Sequence, residues 1–324
     1  MSTSEPTLAT RIVPAGPSAI AEAGAKLRDG MLVAFPTETV YGLGANALDD
    51  LAVASIFNVK KRPRFNPLIV HVHDRSEAEE IVQFNAPAAK LAEAFWPGGL
   101  TLVLPRREPS PLAMLVSTGL DTAAVRVTAS PIARMLIDAA GVPIAAPSAN
   151  RSGRLTPTTA SDVMEELSGT VPLILDGGPC AIGLESTIVG FAGTRPLLLR
   201  PGAIKREDIE KQIGPLGEPQ ARSPLAPGMM QSHYAPAAAL RLNARDVREG
   251  EVLLAFGQDA PQAETACNLS ERADLREAAA NLFAMLHRLD KTGARTIAVM
   301  PIPATGLGEA INDRLARAAA PRDG

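Results

Sequence analysis

The residues with the clearest chemical potential are cations and hydroxyls grouped at the ends of apolar runs. Lys60-Lys61-Arg62-Pro63-Arg64-Phe65-Asn66-Pro67 places four cations within five positions, between a helix-like stretch and an apolar run. The prolines stiffen the segment and lower the entropy lost on holding a ligand. Arg62 offers a planar fork suited to phosphate oxygens, and Lys60 a point charge. Taken alone, the run also fits a solvated basic turn. Pro147-Ser148-Ala149-Asn150-Arg151-Ser152-Gly153 follows the apolar run VPIAA. Hydroxyl and amide side chains at the C-terminal end of a strand suit an anion or a sugar, or an ordinary polar turn. Phe35-Pro36-Thr37-Glu38-Thr39-Val40-Tyr41-Gly42-Leu43-Gly44 repeats the pattern, with glycines that permit close backbone approach. Gly183-Leu184-Glu185-Ser186-Thr187 sets a glycine and hydroxyls before a strand, and Leu199-Arg200-Pro201-Gly202 sets an arginine at a strand end. For Arg200 a structural ion pair is the plain alternative.

Several chemistries are excluded. There is no GxGxxG loop, no G-x-S-x-G elbow and no H-E-x-x-H. Gly178 to Gly183 is spaced like a phosphate-binding loop, but Leu184-Glu185 follows where lysine and a hydroxyl residue are required. His71 and His73 lie two apart on an expected strand and so face one way, yet no third ligand stands near them. They read as hydrogen-bonded histidines. Cys180 and Cys267 are too few for a disulfide scaffold or a thiolate zinc site.

The elements that must position these residues follow from periodicity. Helices are expected over 18–29, 51–61, 76–84, 86–95, 131–140 and 160–167. Strands are expected over 67–72, 100–105, 124–127, 142–147, 173–176, 186–191 and 197–200, and a proline-broken one near 31–36. Helices and strands alternate, but strand pairs resembling hairpins close the block, which implies an α/β unit with a mixed sheet. Residues 211–236 carry five prolines and three glycines and read as a linker. Beyond it, strands at 252–257 and 296–301 and helices at 273–289 and 307–319 make a small separate α/β unit.

Composition agrees with two globular units, since 324 residues at about 150 per domain suggest two. A net charge of −3 announces neither a nucleic-acid nor a membrane partner, so any polyanion site must be local. Aromatic residues at 3% argue against base stacking. No run of 18 apolar residues and no apolar signal core occur, so a membrane span is not expected and a reducing cytoplasm is the default.

In order along the chain, FPTETVYGLGA, KKRPRFNPLIVHV, FWPGGLTLVLP, AVRV, APSANRSG, GLESTIV and LLRPGAI resemble the threonylcarbamoyl-AMP synthases in their long, two-domain form, members of the YrdC-like family. The similarity covers residues of about 15–210, and PGMMQSHYAP with the unit after it extends the likeness to nearly the whole chain. The resemblance implies a catalytic domain over 1–210, a twisted mixed sheet around a concave basic cavity. It implies a linker over the active site at 211–236 and a small Rossmann-like C-terminal domain at 237–324. The implied reaction condenses L-threonine, bicarbonate or CO2 and ATP to threonylcarbamoyl-adenylate and pyrophosphate. A partner transferase would then carry the threonylcarbamoyl group to adenosine in tRNA, so tRNA is involved only indirectly.

The family's catalytic basic and hydroxyl tetrad falls on Lys60, Arg62, Ser148 and Asn150. By resemblance, Lys60, Arg62, Asn66, Thr122, Ser148, Thr156 and Arg200 line the ATP side, with Tyr234 of the linker as part of a lid. Thr39, His71, Arg126, Ala146 through its backbone and Ser186 line the threonine side, with Arg126 on the amino acid's carboxylate. Mg2+ would accompany ATP through phosphate oxygens and water, with no protein side chain as ligand. Many relatives carry a basic residue after Pro-Gly-Met, where Met230-Gln231 stands here, which puts a linker charge contact to phosphate in question. A structured-RNA binder is the alternative from another class. A carbamoyltransferase of hydrogenase maturation would need zinc-finger segments that two cysteines do not supply.

Overall fold

A computed structural model describes residues 8–219 and 233–321. The first unit runs β1 (Arg11–Pro14), α1 (Pro17–Arg28), β2 (Val33–Pro36), β3 (Tyr41–Asn46), α2 (Asp50–Lys60), β4 (Ile69–His71), α3 (Arg75–Ile81), α4 (Ala86–Phe95) and β5 (Leu100–Pro105). It continues through α5 (Met114–Ser117), β6 (Thr122–Arg126), α6 (Pro131–Ala140), β7 (Ile144–Ala145), α7 (Ala160–Leu167), β8 (Leu173–Asp176), β9 (Thr187–Ala192), β10 (Arg195–Arg200) and α8 (Arg206–Ile213). The second unit is β11 (Ala239–Arg241), β12 (Glu251–Ala255), β13 (Ala266–Asn268), α9 (Leu275–Asp290), β14 (Thr296–Val299) and α10 (Leu307–Ala319).

The first unit is built on a ten-stranded sheet in the order β1-β8-β2-β3-β7-β4-β6-β5-β9-β10. It is mixed, as expected: β4/β6 and β5/β9 are parallel, while β2/β3, β5/β6 and β9/β10 are antiparallel. Register does the positioning. His71 stands opposite Arg126, and Arg200 opposite Ile188, two residues past Ser186. The residues at these strand ends therefore gather at one end of the sheet. The second sheet, β11-β14-β12-β13, is parallel throughout.

Helices cover the large sheet on both faces. On one, α1 and α6 pack Ala23, Leu27, Leu136 and Ile137 against Val33 and Phe35. Their approach depends on Gly24, where a Cβ would meet the Ala139 carbonyl carbon at 2.7 Å. The larger core on the other face includes Val53, Ile56, Leu91 and Val163. Helix starts follow local chemistry. Asp49 caps α2 by accepting from the Leu51 and Ala52 amides, and Thr159 with Asp162 forms a capping box on α7. Helix α2 ends as the sequence implies, at Lys61 in a left-handed turn (φ 52°), two residues before Pro63.

Some expectations shift. The strand expected over 142–147 is only β7, because Pro143 and Pro147 lack the amide donors a ladder needs. β4 starts at Ile69 rather than at Pro67 and ends at His71. His73 thus lies beyond the strand, exposed and hydrogen-bonded to Asp138, not on one face with His71. Helix α8 crosses the boundary expected at 210. Half of the linker, residues 220–232 including Met230-Gln231, lies outside the described residues.

The second unit packs tightly on the first. Leu155 and Leu184 join Tyr234, Leu282 and Phe283 in one apolar cluster. Gly183 (φ 72°) lets α9 lie against the segment before β9, since a Cβ there would meet Ala279 O and Ala280 Cα at 2.6 Å.

Candidate active site

One cavity opens where these strand ends converge. Its lining comes from seven stretches of the first unit and from His233 and Tyr234 near the end of the linker, and its floor is the turn after β2. There Thr37 Oγ1 shares a hydrogen bond with Thr39 Oγ1 (2.8 Å), donates to Val40 O and accepts from the Thr39 and Val40 amides. A threonine folding back on its own backbone makes a rigid turn. Arg126, at the end of β6, donates to Thr39 Oγ1 (3.0 Å), Gly98 O (3.0 Å) and Glu38 Oε1 (2.7 Å). Burial alone would raise the Glu38 carboxyl, but the Arg126 charge and hydrogen bonds from Thr128 and the Ala129 amide carry it down to about 2. His71 faces the same space, edge-on to Phe35 at 6.1 Å, with its buried Nδ1 unpartnered among the described residues. Burial, then Arg126, lowers it to about 3, so the imidazole is neutral at physiological pH.

The basic loop and the turn after β7 form a second wall. Lys60 is buried and its ammonium donates to the Ser148 and Asn150 carbonyls, tying the two loops together. Burial, then Arg62, pushes this ammonium well below the usual lysine range. Ser148 Oγ donates to Asn150 Oδ1, and Asn150 Nδ2 holds the Arg151 and Arg154 carbonyls at 2.9 Å. Arg62 is fixed by its own loop, donating to Asn66 O (3.0 Å) and Pro67 O (2.7 Å). Burial lowers it to about 9, so it remains cationic at neutral pH.

The third wall is β10 with the segment before β9. Arg200 donates through Nη2 to Ser186 O (2.8 Å) and Ser186 Oγ (3.1 Å), and Ser186 Oγ meets Thr101 Oγ1 at 2.7 Å. Glu185 is held by Thr156 Oγ1 (2.7 Å) and by Arg314 Nε of α10 (2.8 Å). Tyr234 and His233 close this side with ring centroids 4.0 Å apart. Both are buried, and neither the Tyr234 hydroxyl nor His233 Nδ1 has a partner among the described residues.

Of the residues singled out from sequence, Thr39, Arg62, His71, Arg126, Ala146, Ser148, Ser186, Arg200 and Tyr234 line this one cavity. Lys60, Asn66, Asn150 and Thr156 stand behind it. Asn66 is fully buried, and the other three brace lining residues as described. Thr122 does not line it. It opens β6 opposite Pro105, four residues before Arg126, and a strand rises about 3.3 Å per residue, which sets it at the other end of that strand from Arg126, on the side of the basic loop. Sequence reasoning passed over Glu38, Glu185, His233 and Arg314. The two carboxylates lay inside motifs it quoted, and an acid amid cations was their signal. His233 stood inside the quoted PGMMQSHYAP. Arg314 gave none, being one arginine on an amphipathic helix.

Chemically, three guanidinium groups, two at the ends of β6 and β10 and one in the loop after α2, face one hollow beside hydroxyls and neutral imidazoles. Such a wall can hold a polyanion next to a carboxylate and stabilise charge on phosphate oxygens. No described group of three His, Cys, Asp or Glu is arranged to hold a metal ion.

Comparison with known proteins agrees with this geometry. The family described as Telomere recombination matches residues 25–202, and the one described as Threonylcarbamoyl-AMP synthase, C-terminal domain, matches 204–320. The threonylcarbamoyl-AMP synthase of Bacillus subtilis is 42% identical, over 94% of this chain and 93% of its own. The chain belongs to the threonylcarbamoyl-AMP synthase family. Another threonylcarbamoyl-AMP synthase, from Pyrococcus abyssi, is 42% identical over 90% of this chain and 91% of its own. The crystal structure of Pyrococcus abyssi Sua5 complexed with L-threonine superposes with a TM-score of 0.86 at 38% identity, over 96% of this chain and 97% of that one. Both units are thus those of a two-domain threonylcarbamoyl-AMP synthase.

Proposed function

We propose that the protein condenses L-threonine, bicarbonate or CO2, and ATP into threonylcarbamoyl-AMP and pyrophosphate. The observation that carries this reading is the meeting of Arg62, Arg126 and Arg200 in one cavity with Ser148 and Ser186. Threonine sits at the end formed by Arg126, Thr39, His71, Ala146 and Ser186. ATP lies toward Arg62, Ser148 and Arg200, with Lys60, Asn66, Asn150 and Thr156 shaping that wall and Tyr234 covering it.

The chemistry needs no protein nucleophile. The neutral amine of threonine adds to the carbon of CO2, and the amine proton leaves to solvent, giving a carbamate. A carbamate oxygen then attacks the α-phosphorus of ATP, and the bond to pyrophosphate breaks. Arg126 orients the amino acid through its carboxylate. Arg62 and Arg200 neutralise charge that grows on the departing phosphates. Holding three reactants in line is worth up to about 7–11 kcal/mol in favourable cases. His71, neutral and buried, takes part in hydrogen bonding without adding a charge beside Arg126.

Glu185 in the lining and Glu38 behind Arg126 are both held by arginines, so these carboxylates do not form a metal site. Mg2+ bound to the triphosphate through phosphate oxygens and water would supply further charge neutralisation. Among the described residues no helix is long and apolar enough to cross a membrane. The product then passes to a transferase that modifies tRNA, in the cytoplasm.

The test is mass detection of the adenylate after mixing protein with threonine, bicarbonate and ATP. The reading expects pyrophosphate release only with all three. Release that ignores threonine would overturn it.

A further inference from the structure

A carboxylate in the wall of a cavity that receives a triphosphate is an electrostatic problem, because like charges at short range in a dry site repel strongly. Among the described residues Glu185 is the only acidic side chain lining the cavity, and it is 5% exposed. It sits next to Ser186, on which Arg200 is fixed. The solution in this fold comes from the second unit. Arg314, on α10, has a fully buried side chain. It donates to Glu185 Oε2 at 2.8 Å and to Pro201 O at 3.0 Å, and its guanidinium lies 5.0 Å from the centre of the Tyr234 ring. Tyr234 itself has a left-handed backbone (φ 63°), which bulky residues seldom adopt unless their surroundings impose it. Arg314 beneath the ring and Phe283 at 5.8 Å supply those surroundings.

We infer that Arg314 is a positioning residue for nucleotide binding, which cancels the Glu185 charge, keeps that carboxylate turned from Arg200 and seats the Tyr234 ring. This deepens the proposed function and rests on the reading of the cavity as an ATP site. The two oxygens of Glu185 go to Thr156 and Arg314 rather than to Arg200. Burial alone would raise the Glu185 carboxyl, yet Arg314, with Arg200, brings it down to about 2, so the carboxylate is ionised and needs its counter-charge. Through Arg314 the second unit takes part in substrate binding.

Steady-state kinetics on the full chain test this. Arg314→Met leaves a bare carboxylate in the wall and raises the ATP KM by about tenfold or more, while the threonine KM moves by less than about twofold. Arg314→Lys, which keeps the charge, recovers part of the loss. The decisive variant is the double, Glu185→Gln with Arg314→Met. It removes both charges of the pair, leaves Asp313, the other carboxylate on Arg314, ion-paired with Arg317, and returns the ATP KM to within about threefold of wild type. A merely structural arginine gives a double variant as impaired as the single, with both KM values moving together, and that result overturns the inference. An unchanged ATP KM in folded Arg314→Met, checked by circular dichroism, overturns it too. An active wild type with either result leaves the synthase reading standing, whereas a wild type that makes no adenylate overturns the synthase reading and this inference together.

Discussion

Glu38 holds Arg126 at 2.7 Å from behind the wall of the cavity, with the carboxylate 14% and the guanidinium 4% exposed. Each of the three Arg126 nitrogens is engaged, Nε by Gly98 O, Nη1 by Thr39 and Nη2 by Glu38, which fixes the direction in which its two remaining N–H groups point. The pair is a mount for a guanidinium that would otherwise swing.

Removing the mount should loosen threonine more than ATP. Glu38→Gln keeps the shape and drops the charge, leaving Arg126 buried without its counter-ion. The expected result is a threonine KM raised by about five- to tenfold, in line with loss of roughly 1–1.4 kcal/mol of orientation. Initial rates at varied threonine and saturating ATP check this; a rise confined to the ATP KM would refute it.

Arg62→Ala removes a charge-assisted contact to phosphate. Such contacts are worth about 1.5–3 kcal/mol, so kcat/KM for ATP should fall at least about tenfold. An unchanged rate counts against a phosphate role for Arg62. Arg62→Lys should recover little, because a point charge cannot reproduce the fork.

Stability should fall as pH drops, in two stages. His71 and His233 each have a folded value of about 3. An unfolded histidine titrates near 6.5, so the unfolded chain binds the extra protons, and stability declines from about pH 6.5 down to about 3. The slope is about 1.4 kcal/mol per pH unit for each histidine. His71→Gln should lower it by that amount in denaturant titrations at pH 5 and 6. Glu38 and Glu185, both depressed to about 2, contribute stability that is present above about pH 4.5 and is lost from there down to about pH 2. Neither histidine should add an inflection to the activity profile between pH 5 and 8.

Gly183→Ala should uncouple the second unit. The position has φ 72°, and the added Cβ would fall 2.6 Å from the backbone of α9. Backbone strain and overpacking of this kind each cost about 1–3 kcal/mol. A lower melting temperature, with a raised ATP KM because Arg314 shifts with its unit, is the expected outcome. A variant as stable as wild type would show that the two units tolerate separation.

The sequence by itself determined the elements and most of the lining. Helices 86–95, 131–140 and 160–167 and strands 100–105 and 173–176 end where their periodicity, caps and prolines say they do, because those signals are local. The motifs also named the guanidinium and hydroxyl groups that meet in the cavity, since their types state their chemistry wherever the fold puts them. Tertiary structure decided which of them face the hollow and which stand behind it. Lys60 and Asn150 hold loops together and Thr122 lies at the far end of its strand, because depth and strand register are set by pairings between residues distant in sequence. The counter-charges Glu38 and Arg314 emerged only there as well. Glu185 and Arg314 lie 129 positions apart, and no local pattern marks an ion pair that forms only when α10 docks on the first unit.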